Sequence, residues 1–143
     1  MYVTECTATL HAPLSALWRT WTDIDHLAEW DPREEYARLD GPFTVGTTGY
    51  SKQRGNPGGP FMITAVEEGT SWTVRCPMPG GDLRIGHRLT QGPAGQVHGH
   101  VRYEVRGPFA PLFRFVFAPR LRRELPASFA ALERRAVQPG GGQ

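Results

Sequence analysis

His87 sits between Ile85 and Leu89 in a stretch, Asp82 to Thr90, where apolar and polar residues alternate. Period-two alternation marks a strand with one buried face, so the imidazole is expected on the apolar side. There it could shuttle a proton or orient a ligand carbonyl. The same pattern also suits a core histidine bonded to a neighbouring hydroxyl or backbone carbonyl. Tyr103 takes the matching face of the next stretch, Gln96 to Arg106, with Val97, Gly99, Val101 and Val105. Its phenol could donate to a carbonyl or enolate oxygen as negative charge develops, or simply line a wall. His87 as acid/base and Tyr103 as oxyanion donor form the candidate catalytic pair, provided that strand register sets them side by side.

Other polar residues are weaker candidates. Ser51 and Gln53 alternate with Gly49 and add hydrogen-bonding groups to the wall if they face inward. A register slip of one residue would present Tyr50, Lys52 and Arg54 instead and favour an anionic ligand. His98 and His100 form an HxH pair, superficially a zinc pattern. Their face also carries Arg102 and Glu104 and has no evident third ligand, so no metal or other cofactor is expected. Glu34, Glu35, Asp23 and Asp25 read as helix-end and surface carboxylates, and nothing suggests a paired acid/base site. Cys6 and Cys76 have neither metal nor redox spacing.

These residues need a scaffold. Tyr2 to Leu10 alternates as a strand; Pro13 then opens a helix with Leu14, Leu17, Trp18 and Trp21 on one face. Thr22 or Asp23 can cap a second short helix carrying Ile24, Leu27 and Trp30, closed by Asp31-Pro32. Strands are predicted at Glu35 to Leu39, Thr47 to Arg54, Phe61 to Glu67 and Ser71 to Cys76, before the two alternating stretches above. After Gly107-Pro108 the period turns helical, with Phe113, Phe117, Leu121, Leu125, Phe129 and Leu132 on one stripe. Pro119 and Pro126 should kink or break this helix. The arginines at 120–123 and 134–135 read as its wet side.

The 143 residues suit one domain, here 1–137, with a disordered tail at 138–143. The 17 glycines and 13 prolines argue against a helical bundle. A net charge of +2 demands no anionic partner, and the scattered arginines lack the dense stripe expected for nucleic acid. The first ten residues, with Glu5 and alternating polarity, do not resemble a secretion signal. The longest apolar stretch, Pro108 to Pro119, is broken by Arg114 and falls short of the roughly 20 residues that span a bilayer. A cytoplasmic protein without stable membrane insertion, monomeric or homodimeric, is expected.

Trp18 to Pro32, with a tryptophan in each helix and the closing Trp30-Asp31-Pro32, resembles the polyketide cyclase/dehydrase branch of the START-like (SRPBCC) superfamily, which includes the birch-pollen-allergen-like proteins. Asp40-Gly41-Pro42-Phe43 leading into Gly46-Thr47-Thr48-Gly49 resembles it too, as does Gly107-Pro108-Phe109-Ala110-Pro111-Leu112. The resemblance implies an α+β helix-grip fold: a curved seven-stranded antiparallel sheet around a long C-terminal helix, with two short helices after the first strand. It also implies an apolar cavity. Trp30, Ser51, Gln53, Phe61, Ile63, Trp72, Val74, Ile85, Val101, Phe113, Phe117 and Leu121 are its candidate substrate-binding residues. The expected activity is cofactor-independent cyclisation or dehydration of a hydrophobic polyketide-type intermediate. The alternative is non-enzymatic binding or transport of a hydrophobic small molecule or lipid.

Overall fold

In a computed structural model, residues 1–138 are described, and of the expected tail only Gln138 lies among them. Seven strands form one antiparallel sheet: β1 (Tyr2–Leu10), β2 (Glu34–Leu39), β3 (Thr48–Gln53), β4 (Gly59–Glu67), β5 (Ser71–Met78), β6 (Gly81–Gln91) and β7 (Val97–Arg106). Their order is β1-β7-β6-β5-β4-β3-β2. Between β1 and β2 come helix α1 (Leu14–Trp21) and a 3-10 turn, Ile24–Glu29. After β7 follow a single turn, α2 (Ala110–Leu112), a π-helical turn (Phe113–Phe117) and the long α3 (Ala118–Val137). The sheet curls round α3, giving the helix-grip α+β architecture.

The alternation of β6 and β7 translates directly into facing. Val97, Val101, Tyr103 and Val105 are buried while His98, Arg102 and Arg106 are exposed. Leu17, Ile63, Leu89, Val97, Val105, Ala118 and Leu132 anchor the core between sheet and helices. At Gly99 a Cβ would lie 2.8 Å from the Phe129 ring and 3.3 Å from Leu10. The missing side chain therefore lets α3 settle directly on the sheet. Gly49 does the same for Phe61, whose ring lies 2.5 Å from where a Cβ would be.

Two local expectations change. The second short helix is a 3-10 turn, and neither Thr22 nor Asp23 supplies its side-chain cap; Asp23 binds the ring of His26 instead, at 2.9 Å. The C-terminal helix is not broken at Pro126, which lies inside α3. The irregularity comes earlier, in the π turn. Pro119 lacks an N–H and its ring crowds the carbonyl four residues back, Phe115, and widening that turn relieves the conflict.

The arginines of α3 are not simply its wet side. Arg122 donates to the hydroxyls of Tyr2 (3.0 Å) and Thr4 (3.1 Å) on β1. Arg120 donates to Asn56 Oδ1 at 3.1 Å and to the carbonyl of Arg54 beyond β3. Arg135 reaches Glu29 at 2.8 Å. These contacts tie α3 to the edge strand β1, to the turn after β3 and to the 3-10 turn.

Candidate functional site

A cavity of about 110 Å3 lies between the inner face of the sheet, the 3-10 turn and α3. Leu125, Ser128, Phe129 and Leu132 form its α3 side, and Trp21 and Trp30 close the end formed by the first helical elements. Phe61, Trp72, Val74, Ile85 and Val101 supply apolar wall from the sheet, as the alternation requires. Ser51 and Gln53 face inward. Lys52 points outward onto Glu35, and Arg54 donates to the Pro32 carbonyl at 3.1 Å. The open question of register at 50–54 is thus answered in favour of Ser51 and Gln53.

Four expected lining residues lie elsewhere. Ile63 is wholly packed in the core and borders neither cavity. Phe113, Phe117 and Leu121 line a second, smaller space of about 80 Å3 towards the π turn, with Arg120, Glu124 and Asn56. They precede Leu125 by one or more helical turns, so the stripe carries them past the main cavity. Arg33, Gln53, Ile85 and Tyr103 border both spaces and form the partition between them.

His87 and Tyr103 both line the main cavity but are not directly opposed. His87 pairs with Val101 across β6–β7 and Tyr103 with Ile85, so the two sit diagonally on one face. Cross-strand pairing sets His87 beside Trp72 of β5. The rings stack at 3.7 Å between centroids with 6° between planes, and Trp21 meets the imidazole edge-on at 5.1 Å. Nδ1 donates to the Trp72 carbonyl at 3.1 Å, which leaves Nε2 as an acceptor. Burial pulls the imidazole pKa down to about 4, against a smaller opposing effect of that hydrogen bond. At neutral pH the ring is therefore uncharged, a hydrogen-bond acceptor and a weak base. Part of its role is structural, since it is held by a backbone carbonyl.

Tyr103 has a charged neighbour instead. The Arg33 guanidinium, whose side chain is only 13% exposed, lies near the phenol and favours its ionised form. A guanidinium offers no acceptor to the phenol O–H, which can serve an acceptor on a ligand. Burial raises the phenol pKa although Arg33 opposes it, and Tyr103 stays a protonated donor. Burial also works against the charge on Arg33, but Tyr103, Asp31 and Glu124 outweigh it and the guanidinium remains charged. Asp31 is fixed by the Arg33 backbone N–H (3.0 Å) and by Ser128 of α3, which donates at 2.7 Å.

Glu34 corrects the sequence reading most sharply. Ala37 faces inward, so strict alternation would put Glu35 in the cavity and Glu34 outside. A bulge between Glu34 and Tyr36 in the β2–β3 pairing shifts the phase by one residue. Glu34 becomes 5% exposed and lines the cavity, while Glu35 turns to solvent. Gln53 donates to Oε2 at 3.0 Å, and Oε1 has no hydrogen-bond partner among the described residues. Burial lifts the carboxyl pKa to about 7, with Asp31 adding to the rise and Gln53 and Arg33 opposing it.

The sequence profile described as polyketide cyclase / dehydrase and lipid transport matches residues 1–137. The chain belongs to that family. Among solved structures it is similar to the Zhui aromatase/cyclase of Streptomyces sp. R1128, with 14% identity over 99% of each chain and a TM-score of 0.77. Norcoclaurine synthase of Thalictrum flavum gives 14% identity over 96% of this chain and 94% of that one, at a TM-score of 0.68. A protein of Nitrosomonas europaea gives 15% identity over 92% of each chain, at 0.73. No curated protein matches by sequence. Likeness at these identities speaks for a shared fold, and the chemistry must be argued from the residues of this cavity.

Within this family frame, the polar points missed in the sequence are Arg33, Glu34, Asp31 and Ser128. Arg33 follows Asp31-Pro32, which marks only a turn. Ser128 had a usable signal, because it lies three residues after Leu125 and four before Leu132 on the same face of α3. The HxH pair lies on the outer face, where His98 is exposed and His100 sits 3.4 Å from Glu5.

Proposed function

We propose that this family member binds a hydrophobic polyketide-type intermediate and promotes its cyclisation or dehydration, without an organic cofactor. The observation that carries the reading is the Tyr103 phenol, buried in an apolar cavity beside the Arg33 guanidinium. Such a donor, in a site of low dielectric, stabilises an oxyanion as it develops on a substrate carbonyl. His87 adds an uncharged acceptor on the same face, and the apolar walls hold a flexible chain in a reactive conformation away from water.

The cavity size bears on the substrate. An apolar cavity of roughly 150 Å3 holds one benzene molecule, so about 110 Å3 has room for no more than one small ring. A longer chain would extend through the Arg33–Gln53–Tyr103 partition into the second space. The test is incubation with a poly-β-ketone thioester mimic, with products separated by mass spectrometry. The expected result is a product ratio unlike the spontaneous one, lost in Tyr103→Phe and reduced in His87→Ala, with binding retained in native mass spectra. Products identical with and without protein would overturn the reading.

A carrier is the second reading, favoured by Leu112, Phe115 and Val116, which are 50%, 72% and 55% exposed around Arg114. No helix among the described residues is long and apolar enough to cross a membrane, but this tip could touch one. Vesicle binding lost in Phe115→Ser, together with no turnover of the mimic, would favour it.

A further inference from the structure

We propose that Glu34 is a further catalytic residue: the general base that takes a proton from a C–H next to a carbonyl of the bound ligand. The inference deepens the cyclase reading and rests on it for the identity of the substrate.

Four observations carry it. The bulge in β2 spends a backbone irregularity on turning this carboxylate, and not its neighbour Glu35, into the cavity. Bulges are common beside active sites because they re-aim one side chain. The carboxylate is fixed and not floppy, since Gln53 holds Oε2 and in turn lies 3.5 Å from Ser51 Oγ. Its other oxygen is buried without a partner among the described residues, and a buried acceptor left unpaired is costly unless a ligand completes it. The Tyr103 phenol borders the same cavity, so a donor and a base face one space.

The step balances on these two groups. The C–H bond breaks, its proton goes to Glu34, and the electron pair forms an enolate whose oxygen accepts the Tyr103 O–H. The enolate carbon then bonds to a second carbonyl carbon of the same chain. As that bond forms, the donor carbonyl is restored and the second carbonyl's π pair becomes an alkoxide, which takes the proton back from Glu34 and leaves it again a carboxylate. No oxidant or co-reactant is required.

The charged and titratable groups around Glu34 are Asp31 and Arg33 on the segment before β2, Cys76 on β5, His87 on β6, Tyr103 on β7 and, through Arg33, Glu124 on α3. Asp31 disfavours ionisation of Glu34 and Arg33 favours it. A carboxyl lifted to about 7 is a better base than an ordinary one while still half ionised at neutral pH.

The probe is cyclopentanone, a single ring suited to the cavity, in deuterated buffer, with α-C–H exchange followed by proton NMR. The expected result is exchange above the buffer rate, rising with pH through about 7 and then levelling. Glu34→Gln should lose roughly a hundredfold and Glu34→Asp should recover part of it, while Glu35→Gln on the outer face stays at the unmutated rate. Equal rates in the unmutated protein and Glu34→Gln, high or at buffer level, overturn the proposal. Should Glu34→Gln not fold, carboxyl carbon NMR of the unmutated protein decides. One glutamate titrating near neutrality and shifting on addition of cyclopentanone supports the proposal; all glutamates titrating in the ordinary carboxylate range overturn it. Because the probe is not a polyketide, Glu34 can pass in a protein that cyclises nothing. Conversely, cyclisation that survives Glu34→Gln would leave the cyclase reading standing and remove only this residue.

Discussion

Glu34 and His87 should make the pH dependence of stability deceptively flat. The Glu34 carboxyl rises from 4.5 to about 7 on folding. At about 1.4 kcal/mol per pKa unit this couples about 3 kcal/mol of stability to pH. The folded protein holds that proton more tightly than the unfolded chain does. The contribution is therefore complete below 4.5 and disappears as pH rises through about 7. His87 falls from 6.5 to about 4, again about 3 kcal/mol but of opposite sense. Here the unfolded chain binds the extra proton, so the contribution is complete above 6.5 and is lost as pH falls through about 4. Between pH 4.5 and 6.5 the two slopes cancel. Urea unfolding at half-unit steps from about pH 4 to pH 8.5, fitted as two-state, should show little change from this pair in the unmutated protein. In Glu34→Gln stability should climb by about 3 kcal/mol across the window, and in His87→Phe it should fall by a similar amount. Subtracting each variant from the unmutated curve removes the other titrations. A difference curve for Glu34→Gln that stays constant within about 1 kcal/mol would refute the burial argument for that carboxyl.

Other consequences can be checked by simple means. Gly99→Val pushes a side chain into the Phe129 ring and should cost about 1–3 kcal/mol in urea unfolding, with the larger loss expected if α3 lifts from the sheet. Ser128→Ala removes a 2.7 Å hydrogen bond to the Asp31 carboxylate, and since a charged acceptor loses a partner, about 1.5–3 kcal/mol should be lost. Burial pushes the Cys76 thiol up to about 11. At pH 8 only about one thiol in a thousand is then ionised, so Cys76 should resist a disulfide reagent in the folded protein and react at once in denaturant.

The scaffold was legible because its signals are redundant. In β6 and β7 the alternation of Leu83, Ile85, His87, Leu89 and of Val97, Val101, Tyr103, Val105 fixes facing without any knowledge of partners. The π turn was not legible, because Pro119 announces a disturbance but the strain is absorbed in the turn before it. Part of the site was hidden for a related reason. Ser51 and Gln53 follow from strand period, but Glu34 depends on a bulge, and a bulge inverts the inference that period allows. Arg33 was invisible because its partners, Tyr103 and Glu124, are brought to it only by tertiary structure.

The bulge in β2 also makes the acidity of this pocket a matter of spacing. Pairing the same residues without the bulge would regularise the ladder and exchange Glu34 for its neighbour, leaving composition untouched. Evolutionary drift in such a protein can thus alter its reactivity through strand register as readily as through substitution of the acid itself. Two homologues that both carry a Glu-Glu pair at this place need not share a base. Strand length between the Asp-Pro turn and the first paired residue is the quantity to compare.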